Sequence, residues 1–546
     1  MVKTKAEEIA ERQRQVSISE FFVRNRHLLG FDNPVRALLM TVKELVDNSI
    51  DAGDEMRVLP DVLVEIKEIG ENRCLVVVED NGPGIVKVQI PNVFGKLLYG
   101  SKFAKLSQTR GKQGLGVSVS VLYSQLTTGK PTKVVSRISA KKPAHYYELK
   151  INTQKNEPEI LSEKDVDWKS EHGTKVEIEL EARYQKGKQS VDEYIKQTAM
   201  VNPHVTITYI NPIKEKIVYT RVVEELPREP KEIKPHPHGI ELGSLMQMLT
   251  STSANTLKGF LQNDFSRVGS TTAKEICNLA NLNEKLSPRK LDPASVERIF
   301  KAMQKVRIIA PATDCLSPIG EELLIRGLKN EINGEFYAAT SRSPSVYRGF
   351  PYIIEAGIAY GGELLKEEAI RLMRFANRVP LLYQQGACAI TEAVVDTNWK
   401  PYGLQHSGGS MPVGPVIVVV HIASVWVPFT NEAKDAVAHY LEIIKEIKLA
   451  LQEVGRQLGS YIRKTVRVRE QQERVNLFEK YIPEVANGLS ILSGNKKEKI
   501  EEHLKKILKR TLKNILQKGS NVEKIESKNV EGGMKKIGKE KQVTLI

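Results

Sequence analysis

Apolar residues recur along this chain with two periods, and where the period changes the chain changes its fold. In the segment FDNPVRALLMTVKELVDNSIDAG, residues 31–53, Leu38, Val42, Leu45, Val46 and Ser49 share one face of a wheel turning 100° per residue. Glu44, Asn48 and Asp51 cluster within about 60° of one another on the opposite face. The spacing predicts a helix with one buried and one polar side. Asp32 or Asn33 can cap it, Pro34 suits its first turn, and Gly53 suits the residue just past its end. The run RCLVVVEDNGPGI, residues 73–85, reads instead as a short apolar strand ending at Asp80, then a turn where Gly82 and Gly84 permit close backbone approach. TRGKQGLGVSVSVLYS, residues 109–124, puts Gly111, Gly114 and Gly116 ahead of a helical stretch. EHGTKVEIELEA, residues 171–182, places His172, Gly173 and Thr174 at the start of an alternating strand.

Further along, PREPKEIKPHPHG, residues 227–239, is too rich in proline and charge for a regular helix and reads as a linker. Residues 241–305 are mainly helical, broken by short turns. Strand-like runs return at residues 352–361 and 415–429, with a helical stretch expected at 366–379, so a third region of mixed α/β type follows. From Asn431, the residues Val437, Leu441, Ile444, Ile447, Leu451, Val454, Leu458 and Ile462 mark one helix face. A helix of about 35 residues is expected there, a packed core helix or a lever, weakened near its end by Gly455 and Gly459. Beyond Gly494 the chain is lysine-rich, with a short amphipathic helix in EEHLKKILKRTLKNILQ before a disordered end.

A chain of 546 residues exceeds one hydrophobic core and suggests three or four domains. Lys and Arg number 81 against 66 Asp and Glu, and this excess of 15 leaves nucleic-acid binding open without establishing it. The four cysteines, Cys74, Cys277, Cys315 and Cys388, are far apart and read as buried, reduced thiols of a cytoplasmic protein rather than zinc ligands or disulfides. The amino terminus is too charged for a signal peptide, and no apolar run reaches the roughly 18 residues of a membrane span.

The chemistry is carried by the polar residues of these motifs. Two side chains four apart on a helix are ordinarily a solvated face. As a site, Glu44 would orient and deprotonate a water while the amide oxygen of Asn48 ligates a magnesium ion bridging phosphates. A carboxylate at Asp80 would accept a hydrogen bond from the amine of adenine; guanine would place an acceptor against it and leave a buried charge unpaired. The glycines ahead of the helix at 116 would expose N–H groups to phosphate oxygens. Residues 97–109, polar and basic, read as a lid over nucleotide. GxxxxGK[ST] is absent from the sequence, which disfavours a P-loop fold.

In order, KELVDNSIDAG, EDNGPGI, GKQGLG and HGT resemble the four motifs of the Bergerat-fold ATPases, the superfamily of gyrase, MutL, histidine kinases and the ninety-kilodalton heat-shock chaperone. That resemblance implies an α/β sandwich binding ATP and Mg2+, with Glu44 as general base, Asn48 as metal ligand, Asp80 as adenine reader and Thr174 beside the base. It also implies a pocket shaped by Gly82, Gly84, Ser101, Lys102, Gly111, Lys112, Gln113, Gly114, Leu115, Gly116 and Val117. Within the superfamily, residues 15–470 are similar to the ATPase (B) subunits of the type IIB DNA topoisomerases, the topoisomerase VI group. The similarity implies an ATPase domain with an N-terminal arm at 1–228, a small helix-two-turn-helix domain at 229–307, a transducer ending in a long helix at 308–470, and a helical, lysine-rich extension at 471–546. VPFTNEAKDAVA, residues 427–438, resembles the transducer loop whose lysine reaches the γ-phosphate, making Lys434 the candidate. The implied partners are a DNA-cleaving A subunit in an A2B2 heterotetramer, a second copy of the ATPase domain when ATP is bound, and double-stranded DNA. A MutL-like or chaperone-like ATPase fits less well, because the helical insert lies between ATPase and transducer. A histidine kinase lacks the hydrolytic Glu and needs a phosphoacceptor helix ahead of the ATP domain, where His27 is the sole histidine.

Overall fold

The helix expected from the polar–apolar wheel runs from Pro34 to Met56, with Pro34 in its first turn and Asn33 as its cap, accepting from the N–H of Arg36. Gly53 lies inside it rather than past its end, because Arg57 takes the left-handed cap position and Gly53 is pressed against Pro60, where a Cβ would meet the ring at 2.8 Å. A computed structural model describes residues 4–13, 16–103, 105–111 and 114–508. Lys112 and Gln113 of the expected phosphate loop lie outside these residues, as do the end of the amphipathic segment and the tail.

The first sheet has eight strands: β1 (Asp61–Gly70), β2 (Arg73–Asp80), β3 (Thr132–Arg137), β4 (Ala144–Asn152), β5 (Glu157–Val166), β6 (Gly173–Glu181), β7 (Thr206–Ile210) and β8 (Lys216–Tyr219). Their order is β5-β4-β3-β6-β2-β1-β7-β8, antiparallel except for the parallel pair β1 and β7. Along β6 buried and half-buried residues alternate, as in a sheet covered on one face. The cover is the helices Pro34–Met56, Gly116–Thr128 and Val191–Val201, which pack on the sheet around a core that includes Leu38, Val42, Ile50, Val76, Ile178 and Tyr194. This layered α/β arrangement puts the helix carrying Glu44 beside the end of β2 that carries Asp80.

Four helices, Leu242–Ser251, Leu257–Asp264, Ser270–Leu279 and Pro293–Lys305, form a small bundle with its own core around Phe260, Ile276 and Ile299. The stretch before it holds no regular helix, only a single 3₁₀ turn at Pro237–Gly239. A second sheet follows, made of β9 (Phe336–Ser341), β10 (Ser345–Tyr347), β11 (Phe350–Tyr360), β12 (Arg371–Ala376), β13 (Val379–Pro380) and β14 (Val416–Ser424). β14 is buried at every position, so it lacks the two-residue alternation of a half-exposed strand.

Residues 366–379 do not form the expected helix. β12 occupies their middle, parallel to β14, and its charged Arg374 is buried with its guanidinium donating to the carbonyls of Leu381 and Tyr383 at 2.8 Å each. Central placement in a sheet overrides the local helical spacing. The long helix also departs from expectation: it runs from Leu441 to Ser493, 53 residues, and starts ten residues later than Asn431. Gly455 is tolerated inside it because a Cβ there would meet the Tyr402 ring at 2.4 Å. The chain divides into two compact units, Met1–Gly459 and Ser460–Ile546. Within the second, Ile482 and Ala486 are buried, while Leu477, Phe478, Tyr481 and Leu492 are exposed, and helix resumes at residues 497–508.

Candidate active site

Asp80 closes β2, and its register partner on β6 is Thr174. One carboxylate oxygen of Asp80 accepts from the N–H groups of Gly82 at 2.9 Å and Thr174 at 3.1 Å; the other accepts from the Ser49 hydroxyl at 2.9 Å. Helical spacing puts Ser49 on the apolar face, yet its hydroxyl ties that helix to the Asp80 carboxylate. Burial pushes Asp80 above the usual aspartate range, against the pull of those three donors. Two neighbours must be glycine for steric reasons. A Cβ on Gly173, at φ 132°, would meet the Asp80 carbonyl at 2.0 Å, and one on Gly84, at φ 69°, would meet the Arg137 carbonyl at 2.1 Å. His172 does not enter the cavity: its Nδ1 sits 2.9 Å from the Gly82 carbonyl and fixes the turn.

A cavity of about 590 Å³ opens from Asp80 along the polar face of the Pro34–Met56 helix. Glu44, Asn48, Asp80, Gly84 and Thr174 line it, as do Ser101 and Lys102. Gly111, Gly114, Leu115, Gly116 and Val117 line its far side, and so does Lys434. Gly82 does not; its N–H is spent on Asp80. The Gly116–Thr128 helix points its amino end at Glu44, so closely that a Cβ on Gly116 would lie 1.8 Å from a Glu44 oxygen. That end offers free N–H groups and a positive dipole to an anion.

Glu44 is flanked by Lys43, whose ammonium is 3.1 Å from it and 3.5 Å from Asp47. Tyr194 donates to Asp47 at 2.9 Å and holds that pair in place. Burial alone would raise Glu44, but the ammonium groups of Lys43 and Lys434 prevail and keep its carboxyl below the ordinary glutamate range. Lys434 is not on the first turn of the long helix, where it was expected. It sits in the turn before that helix, at φ 57°, and its ammonium donates to the Arg110 carbonyl at 3.0 Å. Burial, then Lys43, lowers its affinity for a proton, with Glu44 opposing.

Arg110 is a residue that spacing gave no reason to single out. Its guanidinium is buried and binds Asp51 at 2.5 Å, Asp54 at 2.9 Å and Asn202 at 2.6 Å. Asp51 is therefore a buried ion-pair partner, not a member of an open polar face; Lys102 binds it too, at 2.8 Å, and reaches Glu55 at 3.0 Å. His204 adds a contact to Asp54 at 2.9 Å. The stretch leading to Arg110 is stitched to the second sheet's region: Gln108 exchanges hydrogen bonds with Ser317 at 2.7 and 3.1 Å, and Asn377 donates to the Thr109 carbonyl at 3.0 Å.

Fold and cavity together define a nucleotide-binding ATPase, and residues 34–184 match the family described as histidine kinase-, DNA gyrase B- and HSP90-like ATPase. Residues 311–474 match the family described as topoisomerase VI B subunit, transducer. The B subunit of type 2 DNA topoisomerase 6 from Methanococcoides burtonii is 52% identical over 486 residues, covering 89% of this chain and 78% of its own length. That of Methanosarcina barkeri is 50% identical over 484 residues, covering 88% and 78%, and that of Archaeoglobus fulgidus 45% identical over 476, covering 87% and 79%. The chain belongs to the family of type 2 DNA topoisomerase 6 B subunits, the ATPase subunits of ATP-dependent type IIB topoisomerases.

Proposed function

We propose that this chain is an ATP-driven gate. ATP closes a dimer of its ATPase domain, and hydrolysis drives one DNA duplex through a double-strand break that a separate A subunit opens in another, in an A2B2 assembly. The observation that carries the reading is the placement of Lys434: a cation from the transducer region lines the cavity with Glu44 and Gly116, where a terminal phosphate would sit. Glu44 is the general base. Held ionised by Lys43 and Lys434, it can take a proton from water at neutral pH. Asp80 accepts from the adenine amine, and Thr174 and Ser49 fix it in that role. The glycines at 111, 114 and 116 and the helix end behind them receive phosphate oxygens.

Asn48, one turn from Glu44 and open to the cavity, offers the hard amide oxygen that Mg2+ takes alongside phosphate and water oxygens. Bound there, the ion would neutralise phosphate charge. Of the domain limits at residues 228, 307 and 470, the first two fall between elements and the third lies within the Leu441–Ser493 helix; all three belong to this reading. So does a cytoplasmic location, supported by four buried free cysteines; among the described residues no helix is long and apolar enough to cross a membrane.

The test is reconstitution with a candidate A subunit on supercoiled and catenated DNA. The expected result is relaxation and decatenation that require ATP. Topological change at the same rate without ATP, or no ATP turnover by the purified chain, would contradict it.

A further inference from the structure

The cation at the third position of the Pro34–Met56 helix is in an unfavourable place, since Arg36 faces the positive end of the helix dipole. Its partners account for it. Arg36 Nη1 binds Asp32 at 2.8 Å, Nη2 binds Asp435 at 2.6 Å, and the guanidinium lies 4.7 Å from the centre of the Tyr383 ring. Asp435 directly follows Lys434 and is 4% exposed. Asn431 brackets it, donating to its carboxylate at 2.8 Å and accepting from its N–H at 3.2 Å. On the other side of Lys434, Ala433 is buried in the core of the ATPase sheet. The turn carrying Lys434 is thus clamped on both flanks, and its ionic clamp stands on the helix that carries Glu44, eight residues or about 12 Å further along.

We propose that the Arg36–Asp435 ion pair is a latch that seats the Lys434 turn on the ATPase domain, making both residues positioning residues for the phosphate contact. The proposal rests on the reading of Lys434 given above. Consecutive Cα atoms are about 3.8 Å apart, so anchoring Asp435 confines Lys434 to within its own side-chain length of the cavity. Held there, the Lys434 ammonium reaches phosphate by leaving the Arg110 carbonyl.

The experiment measures turnover at saturating ATP, and ATP affinity by calorimetry, on the full chain carrying Arg36→Gln, Asp435→Asn, both together, and each with Lys434→Ala. The neutral pair keeps an uncharged, shape-matched contact, so it tests the latch even where a single change leaves a buried charge that unfolds the protein; thermal melts identify such cases. The expected result is a kcat lower by about 10- to 100-fold in each single variant, no further loss in the pair, and ATP affinity within about twofold of wild type. Adding Lys434→Ala should bring every variant to the rate of Lys434→Ala alone. Wild-type kcat in the neutral pair, or losses that multiply with that of Lys434→Ala, would overturn the latch. If Lys434→Ala itself turns over normally, the phosphate reading falls and the latch with it; if it is slow while the neutral pair is fast, the latch alone falls.

Discussion

The two ends of the nucleotide cavity are built in opposite ways. In the proposed reading the adenine end is made by adjacent strands: Asp80 and Thr174 are register partners, and Ser49 reaches Asp80 from the covering helix. The strands that carry them are fixed by sheet hydrogen bonds, so that end is preformed. The phosphate end is assembled from a helix terminus, the loop ending in Arg110, and a turn more than three hundred residues away. Its charged groups are paired with one another: Lys43 with Glu44, Lys434 with the Arg110 carbonyl, Lys102 with Asp51. In the proposed reading, phosphate takes the Lys434 ammonium from the Arg110 carbonyl, while Lys43 stays with Glu44. Affinity for the base should therefore reside at the first end, and turnover and its coupling to the transducer at the second.

Glu44→Ala probes the second end most sharply. Hydrolysis should fall by about two to four orders of magnitude with ATP still bound, the usual effect of losing a general base. A phosphate-release assay beside calorimetry checks both halves, and normal hydrolysis would remove Glu44 from the role. The pH profile sharpens the point. The Glu44 carboxyl is held below its ordinary value partly by Lys434, so the acid limb of the wild-type rate should lie below the glutamate range, and Lys434→Met should move it upward.

Asp80→Asn addresses the first end. The amide loses the charge that strengthens the bond to the adenine amine and can turn a donor towards it, so ATP affinity should drop by about 10- to 100-fold before kcat changes. Equal affinities by calorimetry would show that the adenine end is not where binding resides.

The smallest effect is expected beneath the phosphate end, at the partners of Arg110. Asp54 is held well below the usual carboxylate range; burial opposes this, and Arg110 and His204 outweigh it. A depressed folded value means stability that is present above the unfolded value of 3.8 and lost as pH falls towards the folded one. Asp54→Asn should therefore cost about 1–3 kcal/mol at neutral pH and progressively less below pH about 4. Thermal melts across that range check it; a difference that does not depend on pH would refute the charge-based origin.

The elements of the proposed adenine end were legible in the sequence because each is local: a strand ending in Asp80, glycines where the backbone closes in, and an alternating strand opening at Thr174. The phosphate end was only half legible. Helical spacing puts Glu44 and Asn48 on one face and the resemblance assigns their roles, but Asp51, two turns on from Glu44, is buried against Arg110 and Lys102, and wheel geometry cannot tell a solvated carboxylate from a paired one. Arg110, Arg36 and Asp435 carry no local signal, since their partners are far away in the chain. Lys434 came from resemblance, and spacing put it on a helix that starts later, because Val437 and Leu441 keep helical spacing across a stretch that is held as a turn. The strand at 371–376 was hidden for a related reason. Its buried Arg374 breaks the apolar run that marks a central strand.

The measurement that bears most directly on the two-ended site is single-turnover hydrolysis by Lys434→Ala at saturating ATP, with binding measured on the same preparation. If the transducer supplies the phosphate cation, binding should persist while the rate falls by about 10³ to 10⁵, the range for losing a cation that stabilises phosphoryl transfer. A wild-type rate, or a loss of binding with the bound fraction still hydrolysing normally, would contradict it.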